Sequence, residues 1–250
     1  MKISVITVCF NSVDTIEDCV QSVLGQDYSD VEYVVIDGAS TDGTLELLNN
    51  YRNQISTLIS EPDQGIYDAM NKGLTHCKGD VIAILNSDDL YRDNSVLSRV
   101  VQYLTEKQVA ACYGDLEYVD RSNTNKVVRF WRAGQYHRKK FLHGWMPPHP
   151  AFFLKRSCYQ EHGFFDLRFT TSADYELMLR MLYKHELTCA YIPEVLVRMR
   201  VGGQSNLSLA NRLKANREDR FAWQVNGLTP RIYTTILKPL SKIGQFLKRS

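Results

Sequence analysis

The first hundred residues alternate between two hydrophobic periods, and that alternation restricts the chain to very few folds. ISVITVCF (3–10) is a short apolar run rich in β-branched residues. Behind it Asn11 or Ser12 can cap a helix whose apolar residues Ile16, Val20, Val23 and Leu24 keep helical spacing until Gly25 stops it. VEYVVID (31–37), ISTLIS (55–60) and DVIAIL (80–85) read as further strands. Between them lie a helix after the STDGT turn, with Leu45 and Leu48 facing inward, and a helix over GIYDAMNKGLTHC (65–77). A fourth helix is predicted from about Asp93 to Leu104. Strand and helix in alternation, with short connections, imply right-handed βαβ units and a mostly parallel sheet covered on both faces.

Such sheets bind ligands beyond the carboxyl ends of their strands. Polar clusters stand at three of those ends: Asn11 after the first strand, Asp37 after the second, and the pair Asp88–Asp89 in ILNSDDLY (84–91) after the fourth. Adjacent carboxylates repel unless a cation sits between them, and a hard divalent ion takes one or two carboxylates plus substrate phosphates. The alternative is that Asp89 or Asp93 merely caps the next helix. Ser40 and Asp42 read as turn and cap residues. The loop TVCFNS lacks both GxGxxG and GxxxxGK[ST], which argues against dinucleotide oxidoreductases and P-loop enzymes.

Beyond residue 110 the rhythm changes. ACYGDLEYVD (111–120) reads as a strand, residues 125–141 are mixed and basic, and residues 143–166 combine turns with a short helix. TSADYELMLRMLYKHEL (171–187) reads as one helix with Leu177, Leu179, Met181 and Leu182 on its buried face. Trp131, Tyr136 and Trp145 fill the core of this half or stack on a sugar, the former being favoured. The last twenty residues step Ile232, Ile236, Leu240, Ile243 and Leu247 against Lys238, Lys242 and Arg249, with Pro239 interrupting. Such a basic amphipathic pattern suits either a docked terminal helix or an anionic membrane surface.

The net charge of +2 is local, since Gly227 to Ser250 carries five basic residues and no acid. The body therefore has no nucleic-acid signature. Six scattered cysteines without CxxC spacing fit neither a zinc site nor a redox motif, and they suit a reducing cytoplasm. Lys2 plus ISVITVCF imitates a signal peptide, but the apolar run ends at Asn11 and a helix start follows instead of a cleavage site. No apolar stretch approaches the length of a membrane span.

In their order, SVITVCFNS, VVIDGASTDGT, GIYDAMNKGL…KGDVIAILNSDD, HPAFFLKRSCYQEHGFFD and TSADYELMLRM resemble the inverting glycosyltransferases of family 2, over residues 2–203. Among them the bacterial surface-polysaccharide enzymes of colanic acid and O-antigen type are most similar. The resemblance implies a GT-A fold: a Rossmann-like, mostly parallel sheet with a donor-binding half at 1–110, an acceptor half at 111–203 and a helical basic extension at 204–250. It implies a nucleoside-diphosphate sugar donor, UDP favoured over GDP, a glycan or lipid-linked glycan acceptor, and Mn2+ or Mg2+.

By the same resemblance, Asp37 contacts the nucleotide base together with the Thr7–Cys9–Asn11 segment. Asp88 contacts ribose or diphosphate, Asp89 holds the metal, and Asp68, Asn71 and Lys72 line the donor site. Asp174 is the catalytic base with Glu176 in reserve. His149 lies on the acceptor or metal side, and Arg198, Arg200 and the GGQSN turn close over the diphosphate. Two departures stand out: Asp37–Gly38 where many relatives carry two acids, and Ala173–Asp174 where many carry Glu-Asp. Absence of Gln-x-x-Arg-Trp points to a single addition rather than processive synthesis. The competing readings are a nucleotidyltransferase, which would want a Gly-rich basic loop after the first strand, and a non-catalytic nucleotide-sugar binder. The expected location is the cytoplasm, with contact to the inner face of the membrane through residues 231–249.

Overall fold

A computed structural model describes residues 1–202, 209–231 and 234. The amphipathic run 231–249 lies outside the described residues apart from Arg231 and Thr234, as does the GGQSN turn beyond Gly202. Among the described residues no helix is long and apolar enough to cross a membrane.

The chain runs β1 (Ile3–Cys9), α1 (Ile16–Leu24), β2 (Val31–Asp37), α2 (Thr44–Asn49), β3 (Thr57–Ser60), α3 (Ile66–His76), β4 (Val81–Ile84). It continues β5 (Asp89–Tyr91), α4 (Val96–Lys107), β6 (Ala111–Val119), β7 (Val127–Trp131), β8 (Phe152–Lys155), α5 (Arg156–His162), α6 (Ala173–Met178), β9 (Cys189–Arg200) and α7 (Leu209–Val225). The strands form a nine-stranded sheet ordered β3-β2-β1-β4-β8-β6-β9-β5, with β7 paired to β6. β1 to β4 are parallel neighbours. β8 then enters antiparallel between β4 and β6, so one sheet runs through both halves of the chain.

Successive side chains on a strand face opposite sides, and the core follows that rule. On β1, Ile6 and Val8 pack with α3 residues Met70 and Leu74, while Ile3, Val5 and Cys9 pack with Ile16 and Val20 of α1 and Val100 of α4. Both faces are apolar, as the unbroken hydrophobic strands require. α3 lies close on β1: a Cβ at Gly73 would stand 2.5 Å from Ile6 Cγ2, so only glycine permits this approach.

Several local expectations change. The first helix starts after Thr15 rather than at a cap on Asn11 or Ser12, and Leu45 is half-buried whereas Leu48 is buried. β5 occupies what reads as a loop, so the fourth helix begins only at Val96. The 171–187 segment breaks into α6 and a π-helical turn, Leu179–Lys184. Its four expected core residues are fully buried. Trp145 and Tyr136 are core: the indole Nε1 donates to Ala133 O at 2.9 Å and the Tyr136 hydroxyl to Leu182 O at 2.8 Å.

Candidate active site

Parallel pairing brings the strand exits to one rim. Cys9 is in register with Asp37, Asp37 with Ser60, and Ile6 with Ile84. The loops are then laced together. Asn11, at φ 49°, takes the left-handed backbone that asparagine tolerates. Its N–H donates to Ser40 Oγ at 2.8 Å and its Oδ1 accepts from Thr41 N at 2.9 Å. Ser12 N donates to Thr44 Oγ1 at 2.8 Å, and the Ser12 and Ser87 hydroxyls pair at 2.9 Å. The base-side loops and the NSDD loop therefore form one connected surface.

On this rim, accessibility differs from the expected roles. Asp37 is fully buried. Its carboxylate accepts from Ser40 Oγ (2.5 Å), Ser40 N (3.1 Å), Ser60 Oγ (2.6 Å) and the Cys9 thiol (3.6 Å). It holds the loop from beneath and presents no free oxygen. Thr7 is likewise buried, accepting from the Tyr33 hydroxyl at 3.1 Å, and Cys9 is buried under the loop. Burial, with Asp37 beside it, raises the Cys9 thiol far above its usual range.

Two residues that sequence reading passed over occupy the accessible position instead. Phe10 is 61% exposed at the exit of β1. A Cβ on Gly38 would come within 2.6 Å of Asp63 Oδ2 and 3.3 Å of the Phe10 ring. Glycine at 38 thus leaves room for a carboxylate arriving from the next loop. Asp63 Oδ1 in turn accepts from Gly65 N at 2.8 Å, where φ of 116° favours glycine and starts α3.

The acid pair divides by depth. Asp89 opens β5, is 0% exposed, and burial with the Asp88 charge alongside pushes its carboxyl well above the usual range. Asp88 is half-buried and also raised by burial, against the pull of Arg121 and Arg200. Accessibility therefore favours Asp88 over Asp89 as the group that meets a ligand. The donor set suits a hard cation: Asp89 Oδ1 and Asn86 Oδ1 are buried with no hydrogen-bond partner, and both are oxygens. Among the described residues no group of three His, Cys, Asp or Glu forms a self-sufficient cage.

The expected cationic clamp does not form from Arg198 and Arg200. Arg200 is buried, its Nη1 donating to Asp88 O at 2.9 Å, Nε to Arg121 O at 3.2 Å and Nη2 to Asp18. It braces the NSDD loop. Arg198 shares Glu117 with Arg92, at 3.5 and 3.4 Å. Arg121 is exposed and close enough to act on Asp88.

A second wall is built by α6. Asp174, half-buried in its first turn, accepts from the Tyr67 hydroxyl at 3.2 Å. His149, half-buried in the turn before β8, feels the Asp174 charge, but burial dominates and lowers its pKa. β8 runs antiparallel to β4, so its amino end, and His149 with it, lies at the rim. Glu176 is not a reserve base: it is buried and accepts from Arg180 Nε, Arg180 Nη2 and Asn226 Nδ2, each at 2.9 Å.

α7 holds this wall in place. Glu218 accepts from Thr170 Oγ1 at 2.8 Å and from Thr171 N, Thr171 Oγ1 and Ser172 N, each at 2.9 Å. Burial alone would raise its pKa, but those donors hold it below the usual value. Trp223 Nε1 donates to the Tyr175 hydroxyl at 2.9 Å.

α3 joins the two walls. Asp68 is half-buried and accepts from Gln64 N at 3.0 Å, whereas Lys72 pairs with Glu61 at 2.8 Å. Asn71 does not face the donor: its amide both donates to Phe165 O and accepts from Phe165 N, each at 2.9 Å.

A one-sheet α/β fold with a mostly parallel amino-terminal half is the architecture of the GT-A fold. S. aureus TarS (residues 1–349) in complex with UDP-GlcNAc superimposes with a TM-score of 0.74 at 17% identity, over 99% of this chain and 72% of that one. The mannosyltransferase PcManGT of Pyrobaculum calidifontis, in complex with GDP-Man and Mn2+, gives 0.64 at 20% identity, over 97% and 69%. Residues 4–163 match the family model "Glycosyl transferase family 2". An uncharacterised glycosyltransferase of Mycobacterium tuberculosis is 34% identical over 183 residues, 71% of this chain and 68% of that protein. A PGL/p-HBAD biosynthesis glycosyltransferase of Mycobacterium bovis is 29% identical over 208 residues, 81% of this chain and 78% of its own length. The chain belongs to glycosyl transferase family 2 and is a glycosyltransferase.

Proposed function

We propose that the enzyme transfers a single sugar, with inversion, from a nucleoside-diphosphate sugar to a hydroxyl of a glycan or lipid-linked glycan acceptor in cell-surface polysaccharide biosynthesis. The observation that carries this reading is the partly exposed Asp174, held by Tyr67 from the first turn of α3, which begins beside the rim. In inversion one carboxylate takes the acceptor proton from the face opposite the departing group, and no glycosyl-enzyme forms.

Asp174 receives the proton of the acceptor hydroxyl. That oxygen bonds to the anomeric carbon as the bond to the diphosphate breaks. Phe10 offers the exposed aromatic face on which a nucleobase stacks, and Asp63 beside it offers an acceptor for base N–H groups. A uracil, with its one ring N–H flanked by two carbonyls, suits a single accessible carboxylate and favours UDP. TarS carries UDP-GlcNAc and PcManGT carries GDP-Man on this fold, so the comparison supports a nucleotide-sugar donor and leaves the choice of base to Phe10 and Asp63. Arg121 bears on the leaving diphosphate. Asp88, with the unpartnered oxygens of Asp89 and Asn86 behind it, would hold a divalent cation, and PcManGT carries Mn2+ on this fold. Such an ion supplies neutralisation of the diphosphate charge.

A thermal-shift panel of UDP, GDP, ADP and CDP, with and without manganese, tests the reading. UDP with manganese is expected to raise the melting temperature most, and no shift with any nucleotide would defeat it. The acceptor's lipid and a cytoplasmic membrane face rest on the basic amphipathic run 231–249. The full chain is expected to sediment with vesicles containing anionic lipid and lose this when residues 231–250 are removed; equal sedimentation of both forms refutes it.

A further inference from the structure

Tyr67 sits at the one point where the helix leaving the donor rim touches the proposed base. α3 begins beside β3 at the rim, because Gly65 turns the chain and Asp63 fixes that turn. Gly73 lets the helix lie against β1, so its first turn cannot drift from the sheet. Residues four apart share a helix face, and Tyr67 and Asn71 use theirs together. Asn71 clamps the Phe165 backbone in both directions. The Phe165 ring stacks on Tyr67 with centroids 5.6 Å apart and meets His149 edge-on at 5.8 Å. The Tyr67 ring is therefore fixed on one side by packing. Its hydroxyl is left with a single direction, toward Asp174 Oδ1.

We propose that Tyr67 is a positioning residue for catalysis: its hydroxyl donates to Asp174 and fixes which carboxylate oxygen faces the acceptor. This rests on the reading of Asp174 as the base. Burial, with Asp174 alongside, raises the phenol well above its ordinary value, so it stays a donor throughout the working range. The titratable groups facing the pair are His149 from the turn before β8 and Glu218 from α7. Glu176, on the same helix as Asp174, is neutralised by Arg180. Nothing else among these donates a hydrogen bond to Asp174. A hydrogen bond to the charged form of a carboxylate stabilises that form.

Tyr67→Phe removes the hydroxyl and keeps the ring on Phe165. The variant is expected to melt within a few degrees of the parent and to keep its donor KM. Its kcat should fall about tenfold. A packing role alone would lower the melting temperature or raise the donor KM instead. In an Asp174→Asn background, adding Tyr67→Phe should cause no further loss. If Asp174→Asn collapses turnover while Tyr67→Phe keeps the parent's kcat, Tyr67 is not the positioning group and the base assignment survives. If Asp174→Asn turns over like the parent, both assignments fall.

Discussion

Asp174→Asn is expected to lower turnover by about 10²–10⁴-fold, the range a positioned general base contributes, while donor affinity stays within about twofold. Asparagine preserves the side-chain shape and still accepts from the Tyr67 hydroxyl. It cannot accept the acceptor's proton. Neither neighbouring acid can substitute. Glu176 is buried under Arg180 and Asn226, and Glu218 is committed to the 170–172 loop. Single-turnover kinetics with saturating donor measures the effect, and binding by calorimetry supplies the control. Turnover within threefold of the parent would remove Asp174 from the chemistry.

The second large effect concerns the rim. Asp88→Asn is expected to cut kcat/KM by about 10²-fold or more, because it removes the accessible charge that a divalent cation and a diphosphate require, a contribution of several kcal/mol. The variant should fold as well as the parent. It removes one of two adjacent like charges, and the Asp88 backbone carbonyl that Arg200 binds is untouched. Activity of the parent should vanish in chelator and return with manganese or magnesium, whereas Asp88→Asn should regain little at any concentration. Asp89→Asn should weaken the metal response as well, because it removes the charge from a buried carboxylate whose Oδ1 has no hydrogen-bond partner. Equal metal titrations for Asp88→Asn and the parent would contradict the assignment of the accessible carboxylate.

Much of the first half was legible because its signals are local. β1, β2 and β4 are mostly apolar and almost wholly buried, and apolar residues on both faces specify a sheet covered on both sides. The rim followed, since parallel strands share their exits. What could not be read was the direction of a side chain within a loop. Asp37 and Asp63 are both acids just past a strand, yet the serines at 40 and 60 draw Asp37 inward while Asp63 stays accessible. Arg200 looked like a clamp and proved a brace, because its partners Asp18 and the Asp88 carbonyl come from distant segments. β8 is four residues long and runs straight into α5, so no turn announced it. The hold of α7 on the base wall depends on Glu218 meeting a loop 46 to 48 residues away. Pairings of that range leave no periodic trace.

The most direct test of a base placed across the cleft from a donor held on the rim is the anomeric configuration of the first product. Proton NMR of the glycoside formed from an α-linked UDP-glucose-type sugar reads it from the coupling between the anomeric proton and H2. The β-configured product is expected. An α-configured product would mean retention, and Asp174 would then not be a base on the opposite face.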